Sequence, residues 1–337
     1  MKLQYKPEID SLRAISVLGV IIYHSKIYFF GGLFFQGGYY GVDIFFVISG
    51  YLITSLIHED LNKNNFSLKK FYIKRCRRIF PALIFTILVS LLLSWYSIMP
   101  VSFVEYAKSV IYSLTFVSNY YFYFTGLEYG AISGLLKPLL HTWSLAIEEQ
   151  FYIIFPLIFI IGFKIFRKNL IFYFGILILV SFITALYFSY FNPNLNFYFI
   201  GSRAWELMIG SLLFLFSLKS NFQIKTIYSN LATFLGLIII FISFQFNYDT
   251  IPTPNLNTLL PLLGASIIIF TFKKEGFLNL LFVNKLVLRV GLISYSLYLL
   301  HYPIFAFVRT NRLAQSSIDY LIVALIIFVL SYVSYRF

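Results

Sequence analysis

The run LIFYFGILILVSFITALYFSY, residues 170–190, decides the fold class, because it contains no Asp, Glu, Lys, Arg or His. As a helix rising 1.5 Å per residue it would be about 32 Å long, enough to cross a hydrocarbon core of about 30 Å. In that medium every backbone N–H and C=O must be paired within the protein, so such a run is read as a membrane-spanning helix. Working outward, runs of similar length recur along the chain. Ten spans are expected, at 9–28, 39–57, 79–98, 144–163, 170–190, 199–218, 227–246, 257–272, 290–308 and 318–334. The expected fold class is all-α, a polytopic membrane helix bundle forming one domain over 1–337.

The composition agrees. Of 337 residues, 60% are hydrophobic and 12% charged, with a mean hydropathy of +0.83. Soluble domains carry about 25% charged residues. A net charge of +13 would suit nucleic acid, but the basic residues cluster in the loops between apolar runs. That pattern reads as topology and contact with anionic lipid, and excludes DNA binding. With the N-terminus on the inner side, all but six of the 26 Lys and Arg fall inside. The outer six are Lys26, Lys108, Lys137, Arg203, Arg309 and Arg312. The bias expects both termini in the cytoplasm. The stretch 106–124 is apolar and aromatic, yet counting it as a crossing would put Lys164, Arg167 and Lys168 outside and invert every later loop. It is therefore expected to be re-entrant or interfacial. Lys2 and Lys6 precede the first span, but no small-residue cleavage site follows, so this is read as a retained helix rather than a signal peptide. Cys76 is the sole cysteine, which rules out an intrachain disulfide and a cysteine zinc site.

Ionisable residues inside the spans carry the functional reading, because each costs about 2.5–3.5 kcal/mol to insert even on a lenient scale. Arg13 and His24 are eleven residues apart in the first span. At about 100° per residue this returns His24 to within about 20° of Arg13, so both project from one face, about 16 Å apart along the axis. An imidazole among apolar groups favours its neutral form, the form a general base requires. Asp43, in GVDIFFVISG at 41–50, is a candidate to orient His24 or to pair with Arg13; Ser49 and Gly50 equally fit close helix packing. The segment HTWSLAIEEQFY, 141–152, opens the fourth span. Ser144 is expected to cap it, with Glu148 and Glu149 in the first turn near the positive end of the helix dipole. His141, Trp143 and Ser144 also suit the wall of a glycan-binding cleft. Adjacent carboxylates point about 100° apart, so one at most is expected to face a shared site. Arg75, Arg77 and Arg78 enter the third span either as anchors on anionic lipid or as a phosphate clamp. Arg203 and Glu206, three apart, suit mutual neutralisation. His301 is expected to be structural, near the carbonyl of Leu299 that Pro303 leaves without its usual donor.

Together these strings resemble acyltransferase family 3, the integral-membrane O-acyltransferases of bacterial surface glycans. The resemblance rests on IDSLRA at 9–14 with its Arg13–His24 spacing, GVD…SG at 41–50, RCRRIFP at 75–81, 141–152, and SYSLYL at 294–299. Each string alone is weak; all five in order over the whole chain are specific. The resemblance implies that Arg13 and His24 are catalytic, with Glu148 and Asp43 participating. It implies that Arg75 and Arg78, with Arg77 beside them, contact the phosphates of an acyl-CoA donor, acetyl-CoA being the usual one. Trp143 and Ser144, with His141, would line the active site, and no bound cofactor is expected. Some family members continue into an extracytoplasmic hydrolase-like domain, and none is expected here.

The expected function is acyl transfer in the bacterial inner membrane, from cytosolic acyl-CoA to a hydroxyl of a glycan or lipid-linked saccharide. Surface polysaccharide or lipopolysaccharide O-antigen is the expected acceptor class. His24 is expected as general base, with an acyl-histidine relay as the variant. The alternative class is a secondary transporter or glycolipid flippase, which would favour two related halves. No such halves are visible, and the buried charges concentrate in the first four spans.

Overall fold

The computed structural model describes residues 5–29, 32–128, 133–167, 169–219, 224–246 and 252–336. Lys2 and Lys168, two of the inner positive charges, lie outside the described residues. The helices are α1 (Pro7–Ser25), α2 (Gly41–Asn62), α3 (Leu68–Ser97), α4 (Pro100–Leu114), α5 (Ser118–Gly126), α6 (Thr142–Ile165) and α7 (Leu170–Phe191). Then follow α8 (Pro193–Tyr198), α9 (Ile200–Lys219), α10 (Thr226–Gln245), α11 (Leu259–Thr271), α12 (Asn279–Phe282), α13 (Lys285–Thr310) and α14 (Ser317–Arg336). A two-residue antiparallel pair, β1 (Tyr28–Phe29) with β2 (Gly32–Leu33), follows α1.

Each of the ten expected spans coincides with a helix, so the chain is an all-α polytopic bundle. Among the described residues seven helices are long and apolar enough to cross a membrane: α2, α3, α6, α7, α10, α13 and α14. The other three fall short for visible reasons. Glu8, Asp10 and Arg13 crowd α1, Arg203 and Glu206 lower the hydropathy of α9, and α11 has only 13 residues. Exposed Phe172, Ile176, Leu179 and Ile183 on α7, and Ile318, Leu321, Leu325 and Val329 on α14, are the outward apolar surface that lipid requires.

The stretch 106–124 is a helical hairpin, not one crossing. Phe116 takes a positive φ of 55° between α4 and α5, and the two helices fold back so that Tyr112 stacks on Tyr121 at 4.7 Å. Tyr121 donates to the Glu105 carbonyl at 2.9 Å, and Gln150 on α6 donates to the Phe116 carbonyl at 2.8 Å. At 15 residues α4 is about 22 Å long, too short to span. The third helix begins eleven residues before the expected position, because the Ser67 side chain accepts from the Lys70 amide. Arg75, Arg77 and Arg78 therefore ride on a helix rather than in a loop, with Cys76 exposed between them.

The contacts divide the chain into two compact units, each described by itself. The first comprises Met1–Gly19, Phe35–Phe66 and Phe151–Leu292. Its centre is the pair α2 and α9, brought close by reciprocal glycines. A Cβ at Gly50 would collide with the Leu207 carbonyl, and one at Gly210 with the Val47 carbonyl. Small residues at a helix interface are the usual means of close packing where no water drives association. Ser181 on α7 continues the theme, donating to the Gly201 carbonyl at 2.6 Å and accepting from the Trp205 amide at 3.0 Å. The second unit comprises Val20–Phe34, Ser67–Gln150 and Ile293–Phe337. A chain of buried hydroxyls, Ser113 to Thr142 at 2.9 Å and Thr142 to Ser118 at 3.0 Å, ties the α4–α5 hairpin to α6.

Candidate active site

The second unit gathers three of the four histidines. His24 stands in the last turn of α1, half-buried, with its Nδ1 2.9 Å from the Val20 carbonyl. A carbonyl only accepts, so Nδ1 carries the proton and Nε2 of the neutral ring holds the free lone pair. His301 on α13 is fully buried and repeats this device: its Nδ1 donates to the Tyr298 carbonyl, and its Nε2 has no hydrogen-bond partner. The two rings are 5.1 Å apart between centroids. His141, just before α6, lies 5.6 Å from His301 and stacks on Tyr302 at 5.3 Å, while Tyr302 meets His24 edge-on at 5.0 Å. Neither His141 nitrogen makes a direct hydrogen bond, but the ring faces the carbonyls of Leu299 and Pro138. Leu299 is the residue whose carbonyl Pro303 deprives of its helical donor. Among the described residues no group of His, Cys, Asp and Glu is arranged to hold a metal ion.

Hydroxyls and one guanidinium fix this cluster. Ser144 hydrogen-bonds the Tyr298 hydroxyl, and both lie on the His141 carbonyl, at 3.2 and 3.1 Å. Tyr302 donates to the Gly134 carbonyl at 2.9 Å. Arg309 donates to the backbone carbonyl of His24 and, at 3.3 Å, to that of Leu135. Ser144 is not the expected cap. The helix starts two residues earlier at Thr142, which turns Ser144 inward and moves Glu148 and Glu149 out of the first turn. Trp143 is buried, with 8% of its surface exposed.

A charged layer lies further along α6 and α13. Glu149 is buried, Glu148 half-buried, and Arg75 and Arg78 on α3 lie within Coulombic range of Glu149. Both carboxylates and Arg78 also act on Tyr295 of α13, whose hydroxyl donates to the Ile79 carbonyl at 3.2 Å. Of the two adjacent carboxylates Glu149 is the more buried, and Glu148 stays half-buried. The three arginines do not share one helix face. Arg75, half-buried, and Arg78, exposed, are three apart and share a helix face, while Arg77, also exposed, points about 160° from Arg75.

Two expected site residues have other partners, both in the first unit. The Arg13 guanidinium pairs with Asp10 on its own helix at 2.9 Å, and Asp10 also accepts from the Tyr5 hydroxyl at 2.8 Å. Asp43 is buried and receives Arg203 at 2.8 Å; Arg203 also reaches Glu206 at 3.2 Å. The expected neutral Arg203–Glu206 pair is therefore a triad of one guanidinium and two carboxylates. The grouping of His301 and Arg309 around His24 was not expected from the sequence. His301 was assigned to structure and Arg309 to topology. The available signal was SYSLYLLHYP, in which Tyr298, His301 and Tyr302 return to one helix face at intervals of three and four.

The family described as an acyltransferase domain matches residues 6–336. The peptidoglycan O-acetyltransferase OatA of Listeria monocytogenes is 34% identical over 315 residues, covering 89% of this chain and 49% of that protein. The O-acetyltransferase OatA of Staphylococcus aureus is 32% identical over 358 residues, covering 99% of this chain and 56% of that protein. An uncharacterized protein of Haemophilus influenzae is 36% identical over 245 residues, covering 70% of this chain and 99% of that protein. The chain thus spans about half the length of the two O-acetyltransferases. No solved structure matches it significantly. On the match from residue 6 to residue 336, the chain belongs to the acyltransferase-3 family.

Proposed function

We propose that this chain is an integral-membrane O-acetyltransferase that moves an acetyl group from acetyl-CoA to a hydroxyl of a cell-surface glycan. The observation that carries the reading is the His24 tautomer. With Nδ1 held by the Val20 carbonyl, Nε2 is the basic atom of a ring held between Tyr23, His301 and Tyr302. Nε2 takes the proton of the sugar hydroxyl as its oxygen attacks the thioester carbonyl. The tetrahedral intermediate expels the CoA thiolate, which recovers the proton from the imidazolium. The products are a sugar ester and CoA thiol. A positioned base of this kind is worth about 10²–10⁴-fold in rate, and holding both substrates together supplies much of the rest.

Arg75 and Arg78 take the donor phosphates, with Arg77 at the rim. Glu148 and Glu149 set the charge of the same layer. His141, Trp143 and Ser144 form the wall beside the reacting atoms, and Tyr298 positions Ser144. Arg13 and Asp43 act as positioning residues through their ion pairs with Asp10 and Arg203. The membrane is the bacterial inner membrane with both termini cytoplasmic, as the Lys and Arg bias favours. Peptidoglycan is the first acceptor to examine, since the Listeria relative is named for it; other surface polysaccharides and O-antigen follow. The test uses the full chain in detergent micelles with acetyl-labelled acetyl-CoA and peptidoglycan fragments, following thiol release and label on the sugar. Wild-type protein should do both and His24→Ala neither, at equal yield of folded protein. Transfer retained by His24→Ala, or label stable on His24 before acceptor is added, would overturn the direct general-base route.

A further inference from the structure

The second unit contains a cavity of about 390 Å³ that the mechanism above leaves unused. It is framed by the end of α3, the α4–α5 hairpin, the segment before α6 and the last residue of α13. Its volume falls within the range of about 300–1,000 Å³ typical of small-molecule sites. Its walls have a definite chemistry. Ser109 and Thr310, both in its lining, spend their hydroxyl protons on carbonyls of their own helices, at 2.6 and 2.9 Å, so each oxygen can only accept a further bond. Glu105 adds a carboxylate that makes no ion pair among the described residues, although Lys137 lines the same cavity. Among the described residues Lys137 itself hydrogen-bonds Thr125 alone, at 3.3 Å to its hydroxyl. Tyr121 and Phe122 supply ring surface. Burial and then the nearby Glu105 carboxylate push the Tyr121 phenol up to about 12, which keeps it neutral.

Walls rich in acceptors select a ligand rich in donors, and aromatic surface suits the C–H faces of a sugar ring. The position fits as well. Pro138 lines the cavity and its carbonyl faces His141, and Thr310 follows Arg309, which holds the His24 backbone. Ser97 at the cavity is 22 residues from Arg75 on α3, about 33 Å along that helix. Donor phosphates and this cavity therefore take opposite ends of one helix. The geometry points to this cavity as the acceptor subsite, a pocket for the terminal sugar of a glycan, with Glu105 accepting from sugar hydroxyls and Lys137 meeting a sugar oxygen or carboxylate. The assignment rests on the transferase reading for its role and on the cavity walls for its ligand.

The probe is the N-acetylglucosaminyl–N-acetylmuramic acid disaccharide, titrated calorimetrically into the full chain in detergent, with acetyl-CoA titrated separately. Ser102→Trp fills the cavity from its half-buried wall, and Glu105→Gln removes the charge while keeping the shape. Each should weaken disaccharide binding by about tenfold or more, the loss expected for a hydrogen bond to a charged group. The Kd for acetyl-CoA should stay within about twofold, which also reports a folded protein. Undiminished disaccharide binding by Ser102→Trp, or none by wild-type protein, would overturn the subsite. Saccharide binding lost in both variants, in a wild-type protein that never cleaves acetyl-CoA, would keep the subsite and sink the transferase reading instead.

Discussion

Neutralising Glu206 should leave the first unit as stable as before or make it more so, whereas removing Arg203 should cripple it. The Arg203 guanidinium lies 2.8 Å from Asp43 and 3.2 Å from Glu206, and all three side chains are at most 4% exposed. One guanidinium thus faces two carboxyl groups, which also hydrogen-bond each other. Glu206→Gln keeps the shape and a hydrogen-bond donor toward Asp43, cannot ionise, and leaves the Asp43–Arg203 pair in place. Its effect should be within about 1 kcal/mol of zero, or stabilising, since surplus buried charge is costly. Arg203→Met leaves both carboxyl groups without their cation, a loss of about 3–5 kcal/mol by analogy with other broken buried pairs. In the double variant the residual cost should fall, because only Asp43 remains to be left alone. Thermal unfolding in micelles, followed by the fluorescence of the three tryptophans, of which Trp205 adjoins the triad, gives the ranking. If Glu206→Gln destabilises as much as Arg203→Met, the charge-balance argument is wrong and the triad is held by shape.

Gly210→Leu should prevent α2 and α9 from closing, because the new side chain meets the Val47 carbonyl and Tyr51 amide; the loss should exceed the usual overpacking cost of about 1–3 kcal/mol and appear as absent folded protein on size-exclusion chromatography. Arg75→Ala with Arg78→Ala should raise the acetyl-CoA KM by about tenfold or more, while Arg77→Ala should change it by less than about threefold, as steady-state kinetics would register. Tyr298→Phe should lower kcat rather than raise KM, by about tenfold, because it removes one hydroxyl that holds Ser144 and the His141 carbonyl without touching the charged layer.

Apolar length alone gives away the helices. Runs such as 170–190 cannot satisfy their backbone in lipid any other way, and every expected span is a helix. The ends were less visible. Ser67 capped α3 eleven residues early, since a polar, basic first third still favours a helix once its first amides are capped. Phe116 split 106–124, and nothing in an apolar aromatic stretch announces a left-handed residue. For the candidate site, the Arg13–His24 spacing draws attention to α1, but periodicity within one helix cannot say which neighbour it meets. Asp43 went to Arg203, 160 residues away, and His24 to His301 and Tyr302. The meaning of His301 depended on the packing of α13 against the start of α6, which is a tertiary fact.

Cys76 turns its position into a natural reporter. It is the sole thiol in the chain, exposed on α3 and flanked by Arg75 and Arg77. A membrane-impermeant maleimide applied to one face of sealed vesicles therefore reads the sidedness of that helix end from a single labelled atom, with no engineered cysteine and no background. Protection of the same thiol by a bound nucleotide would then locate the donor without any turnover being measured.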